Sequence, residues 1–361
     1  MDRAGSPHPG SRALSPDRLP AGGPVWLPPI HALFLERYAG DDALLKLAAL
    51  RFRQQGLAAE LYADTPDQLD RVLAYVPPHP RLPTVHLNRG LNMLRDRDLD
   101  VVEEFAGRFA GRLSGMVVHD QPEMVGQTEN LVAALRDLDG RLARWPDAPW
   151  VFLEYAARHE PSWFVEVAEQ LKDTDRISSC LDIGHIGVRQ AHARFAREHP
   201  GLSLQSLSPA DERLPGLVAD VQDAVLAAPQ DIIAMTRSIG QLGKNVHFHL
   251  HDAHPLVGGL ADHFTFLTRL PVPFSYQGRQ SLAMMYGPAG LTAIVAAATD
   301  VIGLDRVSFT LEIHQVQGRL PVGDAADLFA HWQDLASAER MNYWLSVLAQ
   351  NAMLVREAIP A

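Results

Sequence analysis

Six ionisable side chains stand near the ends of six successive apolar runs: His86 in PTVHLN, His119 in GMVVHD, Glu154 in WVFLEY, Asp182 in ISSCLDI, His249 in NVHFHLHD and Glu312 in VSFTLEI. A buried carboxylate needs a cation or hydrogen-bond donors to offset its desolvation, and His, Asp and Glu gathered together make a divalent-metal site. The chain has one cysteine, Cys180, so a thiolate cage and an intramolecular disulfide are both excluded. An oxygen- and imidazole-rich site of this kind suits Mn, Mg, Co, Fe or Zn. Singly, His86 or His119 reads more plainly as a hydrogen-bonded core histidine, and Glu60 as an acceptor for backbone or arginine donors. Period two places His247, His249 and His251 on one side of their run and turns Asp252, read as structural, to the other. Six such residues in six consecutive runs favour the metal reading for the group.

The elements that must position them follow from the alternation of short apolar runs with amphipathic stretches. Strands are expected at Val25–Ile30, Leu57–Tyr62, Pro83–Asn88, Gly115–Asp120, Trp150–Tyr155, Ile177–Ile183, Asn245–Asp252 and Val307–Ile313. A helix is expected at Asp41–Gln55, with Gly56 as its stop, and another from the Thr65-Pro66 pair. Eight strand–helix units predict an α/β fold, the (β/α)8 TIM barrel, whose strand ends converge on one catalytic face. An open doubly wound sheet is the competing reading, but no glycine-rich phosphate loop follows an early strand. The connections Gly187–Lys244 and Ala253–Gly287 are read as long insertions after strands six and seven, far beyond the usual loop length of about 2–6 residues. Phe264, Phe266, Phe274 and Tyr276 make the second a lid or a subunit contact. The stretch Ala325–Ala358 is expected to be a C-terminal helical extension that closes the barrel bottom or meets a second copy of the chain, as in a homo-oligomer.

The 361 residues divide into a flexible Pro/Gly/Ser-rich tail, 1–24, and one barrel domain, 25–361. The formal net charge of -11 disfavours nucleic acid, whose binding needs many cationic contacts. No apolar run reaches the roughly 18 residues of a membrane span, and the N-terminus lacks the apolar segment of a secretory signal. A cytoplasmic protein with a small-molecule substrate is the expectation.

Four segments carry a resemblance: FLEYAARHE (152–160), CLDIGHIG (180–187), HFHLHD (247–252) and FTLEIH (309–314). In this order they resemble the xylose-isomerase-like barrel superfamily, which includes sugar-phosphate isomerases and epimerases, inosose dehydratases and endonuclease IV-type nucleases. MYGPAGL (285–291) is similar to the loop that starts the superfamily's last helix. The resemblance spans about residues 25–320 and leaves the tail and the segment 189–239 unexplained. It implies one metal held by Glu154, Asp182, His249 and Glu312, with Arg158 and Glu160 helping to hold a sugar. Ala157 stands where those relatives usually have Asn, which weakens part of that substrate contact. The nuclease branch implies more ligands, with His86, His119 and His185 at matching places. Its Asp-x-His loop is met only in part, by Asp262 with His263 directly after it.

Two chemistries follow. In an isomerase or epimerase acting on a sugar or cyclitol, Glu154 and Glu312 would serve as base and acid on opposite faces of the substrate. His185 and Arg158 would orient hydroxyls, Glu160 would support them, and one ion would stabilise an enediolate. In a hydrolase, two or three ions would recruit His86, His119, His185 and Asp262 and clamp a phosphate oxygen. Oxidation by clustered iron ranks last of these chemistries, and a barrel kept as a binding or scaffold protein is the non-enzyme alternative.

Overall fold

The computed structural model describes residues 28–34, 41–76, 79–156, 159–207, 211–256, 263–266, 284–313 and 338–360. Eight parallel strands close into a barrel in sequence order: β1 (Ile30–Leu33), β2 (Ala58–Ala63), β3 (Thr84–Leu87), β4 (Gly115–His119), β5 (Trp150–Glu154), β6 (Ile177–Asp182), β7 (Val246–Leu250) and β8 (Val307–Leu311). Pairing of β1 with β8, Ile30 opposite Phe309, completes the closure. The protein is thus a (β/α)8 TIM barrel. Its strands are buried on both faces, which is why they read as short continuous apolar runs.

Helices follow the strands: α1 (Asp42–Gln55), α2 (Pro66–Leu73), α3 (Asp96–Arg108), α4 (Thr128–Leu142), α5 (Pro161–Gln170), then α6 (Ile183–Glu198), α7 (Leu214–Leu226) and α8 (Ala228–Gly240), α9 (Gly287–Ile302) and α10 (Ala338–Ala358). Local chemistry sets their ends. Asp41 accepts from the backbone N–H groups of Ala43 and Leu44 to start α1, and Gly56, at φ 61°, takes the left-handed conformation that stops it. The Thr65 hydroxyl accepts from Gln68 N–H ahead of Pro66 at the start of α2.

Three expectations change. The first strand begins at Ile30 rather than Val25, because Pro28 and Pro29 have no N–H to give a ladder; Pro29 supplies only its carbonyl, to Phe309 N–H. The connection after strand six is a stack of three helices, and α8 takes the place in the outer ring between α5 and α9. The C-terminal segment is no extension: α10 lies between α9 and α1 as the eighth barrel helix, with Trp344 buried and donating its indole N–H to the Ile313 carbonyl. Residues 1–24 and 325–337 of the expected tail and helix lie outside the described residues.

Register sets the chemistry. His119 lies opposite Glu154 on β4 and β5, Asp182 opposite His249 on β6 and β7, and Tyr62 opposite His86 on β2 and β3. Glu312 follows β8 directly. Among the described residues no helix is long and apolar enough to cross a membrane.

Candidate metal centre

All six strand-end residues meet in the barrel mouth, with Glu154 at the middle. One of its oxygens, Oε2, is 2.9 Å from His86 Nε2 and 3.0 Å from His119 Nε2, and those two nitrogens are 3.0 Å apart. The other, Oε1, is 3.3 Å from His249 Nδ1, which is also 3.2 Å from Glu312 Oε2. Two ligand sets therefore share one carboxylate: His86, His119 and Glu154, and Glu154, Asp182, His249 and Glu312, the donor atoms of each lying within 4.8 Å of one another.

A third set, His185, His251 and His263, adjoins them. His251 and His263 stack with ring centroids 3.9 Å apart, and His185 meets both edge-on. Asp182 links this set to the others. It caps α6 through His185 N–H at 2.7 Å while its Oδ1 lies 2.9 Å from His251 Nε2. The Asp-x-Gly-His spacing has a steric reason here. A Cβ on Gly184 would fall 2.0 Å from His251 Cε1, so only glycine lets the start of α6 pass over that ring.

The imidazoles are oriented as ligands. His86 Nδ1 donates to the Leu87 carbonyl (2.9 Å), His251 Nδ1 to that of Asp252 (3.0 Å) and His263 Nδ1 to that of Glu312 (2.9 Å). With Nδ1 held by a carbonyl, each ring turns its Nε2 toward the site, the atom a metal would take. Without an ion, burial opposes charge on His251 but Asp182 raises its pKa to about 9. His249 is turned the other way. Its Nε2 is 3.0 Å from Glu60 Oε1 and its Nδ1 points at Glu154 and Glu312. Glu60 Oε2 in turn accepts from the hydroxyls of Thr84 and Thr310, each at 2.8 Å, and from His247 Nε2 at 3.0 Å.

The site's electrostatics match this arrangement. Burial opposes charge on Glu154, but His119 and His249 hold its pKa well below the ordinary carboxylate value; burial likewise opposes charge on Glu312, which His249 and His263 lower. Burial keeps His119 deprotonated against the pull of Glu154, preserving a lone pair. Both ring nitrogens of His185 are buried and lack a hydrogen-bond partner among the described residues, and the close contacts of His249 with Glu60 and Glu312 fall outside good hydrogen-bond geometry. Such orphans are rare in proteins. Acceptors and lone pairs crowded at about 3 Å with too few protons between them suit divalent ions, so the residues fit the metal centre expected from the sequence.

Of the residues singled out from the sequence, Glu154, Asp182, His249, Glu312, His86, His119 and His185 are brought together. Arg158 and Asp262 lie outside the described residues. Glu160 stands apart from the cluster, exposed at the start of α5 and ion-paired with Arg189. Asp252 is structural as expected: its buried carboxylate accepts from the backbone N–H groups of Ala253, Tyr286 and Gly287. Phe264 and Phe266, expected in a lid or subunit contact, are fully buried in the core; Phe274 and Tyr276 lie outside the described residues. Sequence reasoning passed over Tyr62, whose hydroxyl donates to Glu312 Oε1 at 2.6 Å, and underrated Glu60 and His263. The histidine alternation on β7 was the one signal pointing toward His251.

No family model and no curated protein matches this chain. Among solved structures it is similar to GH5_18 from Streptomyces cattleya in complex with Manβ1-4GlcNAc, at 12% identity and a TM-score of 0.48, over 89% of this chain and 80% of that one. It is also similar to a sugar phosphate isomerase/epimerase from Parabacteroides distasonis, at 12% identity and a TM-score of 0.43, over 93% and 100% of the two chains. A Cellvibrio japonicus xylanase matches at 13% identity and a TM-score of 0.42, over 80% and 87%.

Proposed function

We propose that this chain is a metal-dependent enzyme in which His86, His119 and Glu154, and Glu154, Asp182, His249 and Glu312, would hold at least two divalent ions, and that it hydrolyses a phosphoester. The observation that carries the reading is the division of Glu154 between two ligand sets, Oε2 toward His86 and His119 and Oε1 toward His249. A single ion held by Glu154, Asp182, His249 and Glu312 would leave His119 outside its ligand set, while His86 also lies within reach of His249 and Glu312. The motif resemblance to barrels that include endonuclease IV-type enzymes supports the same reading.

When bound, such ions supply Lewis acidity to a phosphoryl oxygen and acidify a water molecule. The chain's own residues do the rest. Glu154 and Glu312 supply negative charge on either side of His249, and Asp182 fixes the approach of α6. Backbone carbonyls hold His86, His251 and His263 with Nε2 turned toward the site, so little rearrangement is needed when ligands engage. His185 offers two unpartnered ring nitrogens, suited to a third ion together with His251 and His263.

A second reading is favoured by a separate observation: Glu154, Asp182, His249 and Glu312 form a complete four-ligand set by themselves. A mononuclear isomerase or epimerase acting on a sugar or cyclitol, with Glu154 and Glu312 as base and acid, would use that set alone. Metal content per chain decides between them, measured on protein purified without chelator and on His119→Ala. Two or three ions, reduced by one in the variant, is the expected result. One ion, unchanged by the substitution, would overturn the hydrolase reading in favour of the isomerase. Full activity in Glu154→Gln or Glu312→Gln would refute both.

A further inference from the structure

Beside the metal centre, at the C-terminal ends of β2 and β3, a cavity of about 280 Å³ is lined by Tyr62, Ala63, Asp64, His86, Leu87, Asn88 and Arg89. His86 is common to this cavity and to the first ligand set, so a molecule reaching the centre from this side passes Arg89. The volume lies just under the range of about 300–1,000 Å³ for pockets that enclose drug-sized ligands. It suits one small polar group.

Arg89 is built into this wall. Gln121 Nε2 donates to its backbone carbonyl at 2.7 Å. Asn88 shapes the turn on both sides, accepting from Gly90 N–H at 2.8 Å and donating to Asp64 Oδ1 at 2.6 Å. The guanidinium sits over the Tyr62 ring, 5.8 Å from its centroid, and its only polar contact among the described residues is a 3.5 Å approach of Nη2 to the Tyr62 hydroxyl. Tyr62 does not neutralise it. Burial and the field of Glu312 raise the phenol's pKa well above its ordinary value, and its proton is given to Glu312. The carboxylates whose fields reach Arg89, Glu312 and Glu154, belong to the ligand sets and make no direct ion pair with it. With those carboxylates committed to ions, the guanidinium fork is the cation left facing the cavity.

We infer that Arg89, positioned by Asn88, Gln121 and Tyr62, is a specificity-determining subsite for an oxyanionic group of the substrate. The substrate is then a small phosphorylated or carboxylated molecule and not a neutral sugar. The inference rests on the two-ion reading for the location of the reacting group, but the anion subsite is tested on its own. A guanidinium presents two parallel N–H donors that match phosphate or carboxylate oxygens, a fit that lysine reproduces only as a point charge.

The test is calorimetric titration of Mn²⁺-loaded protein with inorganic phosphate and, separately, with acetate, on wild type, Arg89→Gln and Arg89→Lys. Metal content and melting temperature are read on the same samples. Arg89 is exposed and makes one weak side-chain contact, so both variants should fold and keep their ions. The expected result is at least a tenfold loss of affinity for one of the anions in Arg89→Gln and a smaller loss in Arg89→Lys. The anion affected identifies the group as phosphate or carboxylate. Affinity for both anions equal to wild type in Arg89→Gln overturns the inference, as does a wild type that binds neither. The readouts separate the two readings. An Arg89 effect in protein holding one ion refutes only the two-ion assignment, and no effect in protein holding two refutes only the subsite.

Discussion

Replacing Glu60 with glutamine tests whether the centre is organised from below. Glu60 is fully buried beneath the ligand sets, and its two oxygens have different tasks: Oε2 collects Thr84, Thr310 and His247, while Oε1 faces His249 Nε2 at 3.0 Å. A carboxylate accepts at both ends; an amide accepts at one and donates at the other. With the amide carbonyl turned to the three donors, its NH2 meets His249 Nε2 and forces that ring's proton onto Nδ1. Nδ1 is the nitrogen 3.3 Å from Glu154 and 3.2 Å from Glu312, so a ligating lone pair is lost. The opposite flip sets the NH2 against the two threonine hydroxyls and His247. Loss of a partner that orients a ligating histidine weakens metal affinity about 10–100-fold. That is ~1.4–2.7 kcal/mol. Thr84→Val is the control: it removes one hydrogen bond to Oε2, costing about 1 kcal/mol of stability, while leaving Oε1 on His249. Competition against a metal-binding dye would give both affinities, and urea unfolding of metal-free protein both stabilities. Wild-type metal affinity in Glu60→Gln, or an equal loss in Thr84→Val, would refute the orienting role.

Other expectations follow from the same geometry. Gly184→Ala should displace His251, because the added Cβ would lie 2.0 Å from its ring; the resulting loss of metal from the His185 set should show in metal content before any large fall in melting temperature. His254 is buried with no partner for Nε2 among the described residues, and burial lowers its pKa to about 3. Below the unfolded value of about 6.5 the unfolded chain therefore binds a proton that the folded chain refuses, so stability falls with pH by about 1.4 kcal/mol per unit from this residue until the folded pKa is reached. Urea unfolding at several pH values from 6.5 to 4.5 should show a slope shallower by that amount in His254→Gln, and an unchanged slope would contradict it. Leu348→Ala, at a fully buried position on α10, should cost about 2–5 kcal/mol, as expected of a barrel helix. A cost typical of an exposed appendage, within about 0.5 kcal/mol, would argue against α10 as the eighth helix.

Much of the site was legible because parallel strands buried on both faces leave ionisable residues conspicuous. His119, Glu154, Asp182 and Glu312 stood out against Val, Leu, Phe and Ile, and alternation put His249 on the same side as His247 and His251. Glu60 was as conspicuous but was read as a local acceptor, since nothing nearby in the chain shows that β7 delivers His249 to it from 187 or more positions away. Tyr62 and Arg89 looked like ordinary strand-end and loop residues; their meeting depends on the β2–β3 register. The two prolines that weaken the first apolar run push the start of β1 to Ile30, and the place of α10 in the ring is not legible locally because a helix's neighbours are not written in its own periodicity.

Strand–helix alternation and buried polar positions are local properties imposed by hydrophobic patterning, so the barrel and its candidate ligands could be read along the chain. Only the tertiary structure decided how those ligands divide. Closure of the barrel and the stagger between strands bring Glu154 between His86 and His119 on one side and His249 on the other. Whether a carboxylate serves one ligand set or bridges two depends on separations of about 3 Å between side chains from different strands, and one residue of register would change them.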